Sequence, residues 1–265
     1  MSGPGQTYGV SVFVDPIIDD LGWSRTMVSG MYTAGSLTAA TTMIFVGRLL
    51  DKFGARSLMA IVAMLFGLAA MWMSNVQSVI HLYLGFAALR TLGQGSLSLI
   101  PTTLVSIWFV RHRGKVTSVY SLAMAASQAS FPPLIYLLVT NLGWRNAWVI
   151  LGILIWSILV IPSLVLVRRS PESVGLLPDG DLSKYETNEN KVETKEIYGE
   201  INFSLREAIS TRSFWLLMLA GASQSLISTA LVFHHVSVMS SRGLESGIAA
   251  SILSVIAPLA VLGAF

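Results

Sequence analysis

Long apolar runs separated by short polar breaks dominate the sequence. Crossing the hydrocarbon core of a bilayer, about 30 Å, takes about 20 helical residues. The runs of about that length or longer are Thr26–Val46, Ser57–Val76, Ile80–Val110, Val116–Leu142, Ala147–Val167, Phe214–Met239 and Gly247–Phe265. A shorter run, Tyr8–Ile18, precedes them. This pattern predicts an all-α fold, a polytopic bundle of transmembrane helices.

The two ends of the chain do not match a complete set of spans. The run Tyr8–Ile18 would rise only about 16 Å as a helix. We therefore expect it to be the outer half of a first helix that starts before Met1. The last run is still apolar at Phe265, so we expect the chain to be a fragment of a longer protein.

Composition supports the membrane interpretation. The 265 residues are 53% hydrophobic and 12% charged, whereas a soluble domain has about 25% charged residues; the mean hydropathy is +0.67. The net charge of +3 comes from loop residues and does not indicate a nucleic-acid partner. There is no cysteine, nucleophile–base pair, metal-ligand spacing or phosphate-binding loop. We expect no enzyme activity and no cofactor.

The distribution of basic residues predicts the orientation. If the loops 47–56, 111–115 and 168–212 face the cytoplasm, they hold 13 of the 17 Lys and Arg residues. Positively charged loops are retained on the cytoplasmic side. We expect a multi-pass protein of the plasma membrane with these three loops inside the cell.

One long polar segment, 168–212, divides the chain. Its middle is too hydrophilic to form a core. We therefore expect a transmembrane half at 1–167, a cytoplasmic linker at 168–212, and the start of a second half at 213–265. Within the linker, Ile201–Ser210 has helical apolar spacing and is expected to form a short amphipathic helix on the membrane surface.

The break between the second and third spans carries a spaced set of glycines and charges. Gly47, Asp51, Lys52, Gly54 and Arg56 fit the pattern G-x-x-x-D-[R/K]-x-G-x-[R/K]. Glycine permits close helix approach or a tight turn, and aspartate can cap a helix start. The alternative is an ordinary basic loop. The pattern and its position resemble the cytoplasmic loop of major facilitator superfamily transporters, in which it controls conformational change.

Further short sequence segments resemble the monocarboxylate-transporter-like branch of that superfamily, including the oxalate/formate exchangers. They are Tyr8–Phe13, Leu21–Arg25, Trp108–Phe109 with Arg113–Gly114, Leu142–Arg145, Pro171–Gly180, and His234 with Arg242–Gly243. The resemblance implies six helices of an N-terminal half followed by the first two helices of a C-terminal half. The branch usually has a proline three residues after its seventh-span histidine, where this chain has Ser237.

Arg90 is the basic residue deepest inside a span. It lies about 15 Å along the helix from Ile80, near the bilayer midplane, where burying an unpaired charge costs at least about 2.5 kcal/mol. It is either an anion-binding or coupling residue in a wet cavity, or a tie between helices. The sequence around it resembles the superfamily's fourth-helix pattern R-x-x-Q-G, but Gln94 and Gly95 come one position late.

Three further polar side chains inside spans are candidate residues of the transport cavity: His234, Gln94 and Gln128. His234 can bind a proton or an anion, or can lie at the interface. We place its neighbour His235 at the interface, bonded to headgroups or water. Gln94 is a candidate because it lies one turn from Arg90 on the same helix face. Gln128 is a candidate whose alternative is a helix–helix hydrogen bond.

The resemblance implies a secondary active transporter that moves a small organic anion, such as a monocarboxylate, by alternating access, with a proton as a candidate co-transported ion. A carrier of a different solute and a non-transporting membrane interaction protein are the alternatives. The expected partners are this solute and the lipid bilayer.

Overall fold

The computed structural model describes residues 2–180, 205–245, 247–253 and 255. Within these residues the chain is helical, without β-strands. The short first helix α1 joins Thr7–Val10, Ser11–Phe13 and Val14–Leu21, and is followed by α2 at Arg25–Phe53 and α3 at Ala55–Met73. Helix α4 joins Val79–Leu89, Arg90–Ser96 and Leu97–Trp108. Then come α5 at Arg113–Leu142, α6 at Trp144–Ile155, Trp156–Val160 and Ile161–Val165, α7 at Leu205–Ser210 and α8 at Arg212–Ser241.

The chain forms two compact units. The first contains Met1–Leu182 together with Val232–Phe265, and the second is Ser183–Leu231. In the second unit, α7 covers six residues of the predicted amphipathic segment, while residues 201–204 lie outside the described part. The indole Nε1 of Trp215 donates to the carbonyl of Ile209, 2.8 Å away. The division at 167 and 212 remains a prediction.

Helix starts follow the local sequence. The hydroxyl of Ser24 accepts from the Met27 N–H at the start of α2, and that of Ser78 accepts from the His81 N–H at the start of α4. Each serine satisfies one of the backbone donors that a helix start leaves unpaired. These two caps position the N-terminal ends of the helices that carry Tyr32 and Arg90.

The core of the first unit is aromatic and aliphatic. Phe13 of α1 stacks on Trp148 of α6 with ring centroids 4.1 Å apart, and both side chains are fully buried. Phe66 of α3 and Phe86 of α4 are also buried. Aromatic stacking and close van der Waals packing of these side chains hold the short α1 inside the bundle.

The predicted loop between the second and third spans is largely helical. Helix α2 continues through Gly47 to Phe53, and only Gly54 separates it from α3. Gly54 has a φ of 76°, so the expected tight turn is present there. Asp51 lies inside the last turn of α2 and does not cap α3, whose N-cap is Gly54. A Cβ at Gly47 would meet no described atom within 4 Å, so the expected close helix approach is absent there.

Four described helices are long and apolar enough to cross a bilayer: Ala55–Met73, Arg113–Leu142, Trp144–Val165 and Arg212–Ser241. Helix α2 is long but rich in Ser, Thr and Gly. The apolar part of α4 is interrupted by a π-helical segment at Arg90–Ser96. Of the predicted eighth span, residues 247–253 and 255 are described and helical.

Candidate functional site

Arg90 lies half-buried inside the first unit, at the start of the π-helical segment of α4. Its Nη1 donates to the hydroxyl of Tyr32, 2.9 Å away, and to that of Thr7, 3.2 Å away. The Tyr32 hydroxyl in turn donates to Thr7 Oγ1 over 3.0 Å. Among the described residues, no carboxylate lies within ion-pair distance of Arg90. Both described hydrogen-bond partners of the guanidinium are therefore neutral hydroxyls.

The chain brings Thr7 to Arg90 through a close approach of two glycines. A Cβ on Gly93 would lie 2.9 Å from the Cα of Gly5, and a Cβ on Gly5 would lie equally close to the Cα of Gly93. Real Cβ atoms do not come this close, so the N-terminal segment can pack on α4 only where both residues are glycine. This contact positions the start of α1 beside the guanidinium.

The late glutamine of the fourth-helix pattern lies inside the π-helical segment Arg90–Ser96. One extra residue in an α-helix would rotate everything after it by about 100°. A π-turn accommodates an extra residue without that rotation. The seven residues Arg90–Ser96, which include Gln94, form such a π-helical segment, and the Ser96 hydroxyl donates to the Thr91 carbonyl five residues earlier, 2.8 Å away. We infer that this segment accommodates the late position of Gln94.

An aromatic pair connects this site to α8. The ring of Tyr32 stacks on Phe233 with centroids 4.4 Å apart and meets Phe86 edge-on at 5.4 Å. The Arg90 Cζ lies 5.0 Å from the centroid of the same tyrosine ring, within cation–π range. Tyr32 therefore contacts the cation through both its hydroxyl and its ring.

The other predicted cavity residues are not bonded to Arg90. The Oε1 of Gln94 is buried and has no hydrogen-bond partner in the described part of the chain. No hydrogen bond joins Gln128 to another described residue, whereas the adjacent Ser127 bonds the Tyr8 hydroxyl over 2.9 Å. His234 packs edge-on against Phe233 at 5.1 Å. The Nε2 of His235 is buried and has no hydrogen-bond partner among the described residues, and its place at the interface stays a prediction.

The charged motif at the opposite end of α2 lines a cleft of about 250 Å³. Asp51 and Gly54 face Thr103, Ile107 and Arg169 there. The Arg56 Nε donates to the Leu164 carbonyl at the end of α6, 3.0 Å away. Lys52 lies over the Phe53 ring at 5.5 Å. The motif thus joins the ends of α2, α3 and α6.

Sequence reasoning did not identify Thr7, Tyr32 and Phe233. A hydroxyl-bearing aromatic residue inside an apolar span was the available signal at Tyr32. Nothing local marks Thr7 or Phe233, because their roles depend on helices distant in sequence.

A fold of apolar helices around an internal arginine, with a charged turn between α2 and α3, defines a polytopic membrane protein. The family model for the Major Facilitator Superfamily matches residues 4–265. The chain belongs to this superfamily and is an integral membrane protein, as the sequence predicted.

Similar proteins carry transporter names. The chain is 26% identical over 174 residues to human monocarboxylate transporter 7, covering 63% of this chain and 33% of that protein. It is 24% identical over 144 residues to a protein of Cupriavidus necator named "Probable sulfoacetate transporter", covering 54% and 33%. It is 25% identical over 145 residues to the "Probable L-galactonate transporter" of Escherichia coli, covering 52% and 30%. The chain spans about a third of the length of these relatives.

Proposed function

We propose that the full-length protein is a secondary active transporter of small organic anions and that Arg90 holds the anionic group. One observation carries the proposal: a half-buried guanidinium inside the bundle has hydroxyl partners but no carboxylate among the described residues. A charge left without a counter-ion at membrane depth is costly. A bound anion would offset that cost.

The geometry of the guanidinium favours a carboxylate or sulfonate. Both hydrogen bonds of Arg90 to described residues use Nη1. Nε and Nη2 have no hydrogen-bond partner in that part of the chain, and their N–H groups point in parallel from one edge of the planar group. Two parallel donors match two oxygens of one anionic group. Thr7 and Tyr32 fix the opposite edge, so the fork is held in one orientation.

The relatives support this class of solute. Their printed names refer to monocarboxylates, sulfoacetate and L-galactonate. These are all small organic anions. Gln94 contributes a buried carbonyl oxygen without a partner among the described residues, and we assign it to the solute's hydroxyl or to a bound water. His234 and Gln128 are assigned to the same cavity.

The alternative role of Arg90 is a tie between α4, α1 and α2, and its two hydroxyl bonds favour that role. The two roles make different predictions for a lysine substitution. Lysine keeps the charge and can still bond a hydroxyl, but it loses the two-donor fork. A tie would tolerate lysine, whereas a carboxylate site would not.

Uptake into proteoliposomes tests the proposal. Purified full-length protein is assayed with radiolabelled lactate, sulfoacetate and galactonate. We expect at least one to accumulate, with Arg90→Lys weakening its apparent affinity about tenfold and Arg90→Gln abolishing uptake, because hydrogen bonds to a charged group contribute about 1.5–3 kcal/mol. Arg168→Gln is the matched control, since Arg168 bonds the Val165 carbonyl at the end of α6, and it should transport normally. Undiminished uptake by Arg90→Gln would leave Arg90 as a helix tie.

A further inference from the structure

A second polar cluster lies at the end of the bundle opposite Gly54, here called the outer end. Asp15 of α1, Arg25 of α2 and Ser237 of α8 form it. Arg25 donates to the Asp15 carboxylate and to the Ser237 hydroxyl. Ser237 donates to the two Asp15 oxygens, 3.0 and 3.1 Å away. The outer part of α8 is thus bonded to both α1 and α2.

A second contact lies one helical turn further in. Phe233 precedes Ser237 by four residues, about 6 Å along the same face of α8. It stacks on Tyr32, whose hydroxyl accepts from Arg90. From the outer end inwards, the order is therefore the polar cluster, the aromatic pair and Arg90. A solute approaching Arg90 along this face of α8 would have to pass both contacts.

The polar cluster is suited to opening and closing. The side chains of Asp15 and Arg25 are 29% and 43% exposed, so water can replace their bonds to Ser237 when α8 moves away. The third member, Ser237, supplies the hydroxyl through which α8 bonds to both charged residues, so the contact with α8 depends on this residue.

We propose that Asp15, Arg25 and Ser237 form a latch that holds the outer part of α8 against α1 and α2 and closes the path from the outer end to Arg90. Opening the latch frees Ser237 and separates Phe233 from Tyr32. Asp15 and Arg25 remain paired with each other in both states, because both are in the N-terminal helices. The latch concerns access rather than solute chemistry, and therefore goes beyond the proposed function.

A thiol-accessibility experiment tests the latch without any solute. The chain has no cysteine, so a single Ser36→Cys substitution places one reporter thiol on α2. Ser36 lies one turn inward from Tyr32, is half-buried, and bonds the carbonyl of Tyr32 in its own helix. A charged, membrane-impermeant thiol reagent is applied to each side of oriented vesicles in turn, and the labelling rate is measured with the full-length protein.

Two pairs of variants match each change with a control. Asp15→Asn and Ser237→Ala remove parts of the latch. Asp19→Asn removes a carboxylate one turn further along α1, where no hydrogen bond to a described residue is lost. Ser241→Ala removes a hydroxyl one turn beyond Ser237 on α8, where it bonds only the Val238 carbonyl of its own helix.

We expect slow labelling from the outer side in the Ser36→Cys protein and about tenfold faster labelling with Ser237→Ala or Asp15→Asn, the shift that loss of one charge-assisted hydrogen bond gives. In the double variant, the labelling rate should rise by less than the product of the two single increases, because both changes break the same cluster. The controls should label at the starting rate. If Asp15→Asn does not accumulate in the membrane, Ser237→Ala alone decides, since it leaves the ion pair intact. Equal outer-side rates in Ser237→Ala and Ser241→Ala would overturn the latch.

Discussion

Asp179 and Arg90 are both charged, but they differ in how many of their hydrogen-bonding groups have partners among the described residues. Asp179 accepts the backbone N–H groups of Val110, Arg111 and His112 at 3.2, 2.9 and 3.1 Å. These bonds, that from Arg111 foremost, lower the pKa of the Asp179 carboxyl to about 2. Arg90 uses one nitrogen for two neutral hydroxyls. We therefore assign a structural role to the carboxylate, and the proposed anion would bind the guanidinium N–H groups of Arg90 that have no partner among the described residues.

The contact of Asp179 gives a prediction at this scale. Asp179→Asn loses the charge that three N–H groups point towards, so hydrogen exchange at Val110, Arg111 and His112 should accelerate about tenfold. Glu172→Gln, in the same segment and exposed, should leave those rates unchanged. Because the folded pKa is depressed, the stabilisation is present above the ordinary pKa of about 3.9 and is lost as pH falls through about 2. Unchanged exchange in Asp179→Asn would contradict the assigned role.

At the scale of elements, the position of Arg90 on helix α4 depends on the irregular segment Arg90–Ser96. The π-turn at Arg90–Ser96 presents Arg90 to Thr7 and Tyr32 while α4 continues to Trp108 in register. The sequence predicted the apolar span and the late glutamine, but not the π-turn. When a motif is shifted by one residue, the helix after it can either rotate or accommodate the extra residue in a π-turn. Only the packing around Gly93 decides between these two outcomes.

Deleting Thr91 tests this account of α4. The deletion produces the spacing R-x-x-Q-G and converts the π-turn to a regular helix, so the protein should keep its thermal stability in detergent. Deleting Leu84 is the control, because Leu84 is 46% exposed and lies in the regular part of α4. That deletion should rotate the fully buried Leu82 out of the core, which should lower the free energy of unfolding by about 2–5 kcal/mol. Equal losses of stability in the two deletions would mean that the π-turn does not absorb an extra residue.

At the scale of the whole molecule, the spans and the family followed from local pattern, whereas the contacts of the site did not. Apolar runs and the Gly47–Arg56 spacing are local in sequence, so helices and superfamily membership could be predicted from them. The partners of Arg90 come from positions 58 and 83 residues away, which no spacing encodes. For the same reason the helical continuation of α2 through Asp51 was missed, since a polar motif between two spans is typical of a loop.

The central claim is that Arg90 binds the anionic group of a small solute. Its most direct test is the thermal stabilisation of the full-length protein in detergent by lactate and galactonate, each compared with its uncharged amide. We predict that at least one anion raises the melting temperature, that its amide does not, and that Arg90→Gln removes the increase while Arg168→Gln keeps it. Equal stabilisation by an anion and its amide, or an increase that persists in Arg90→Gln, would contradict the claim.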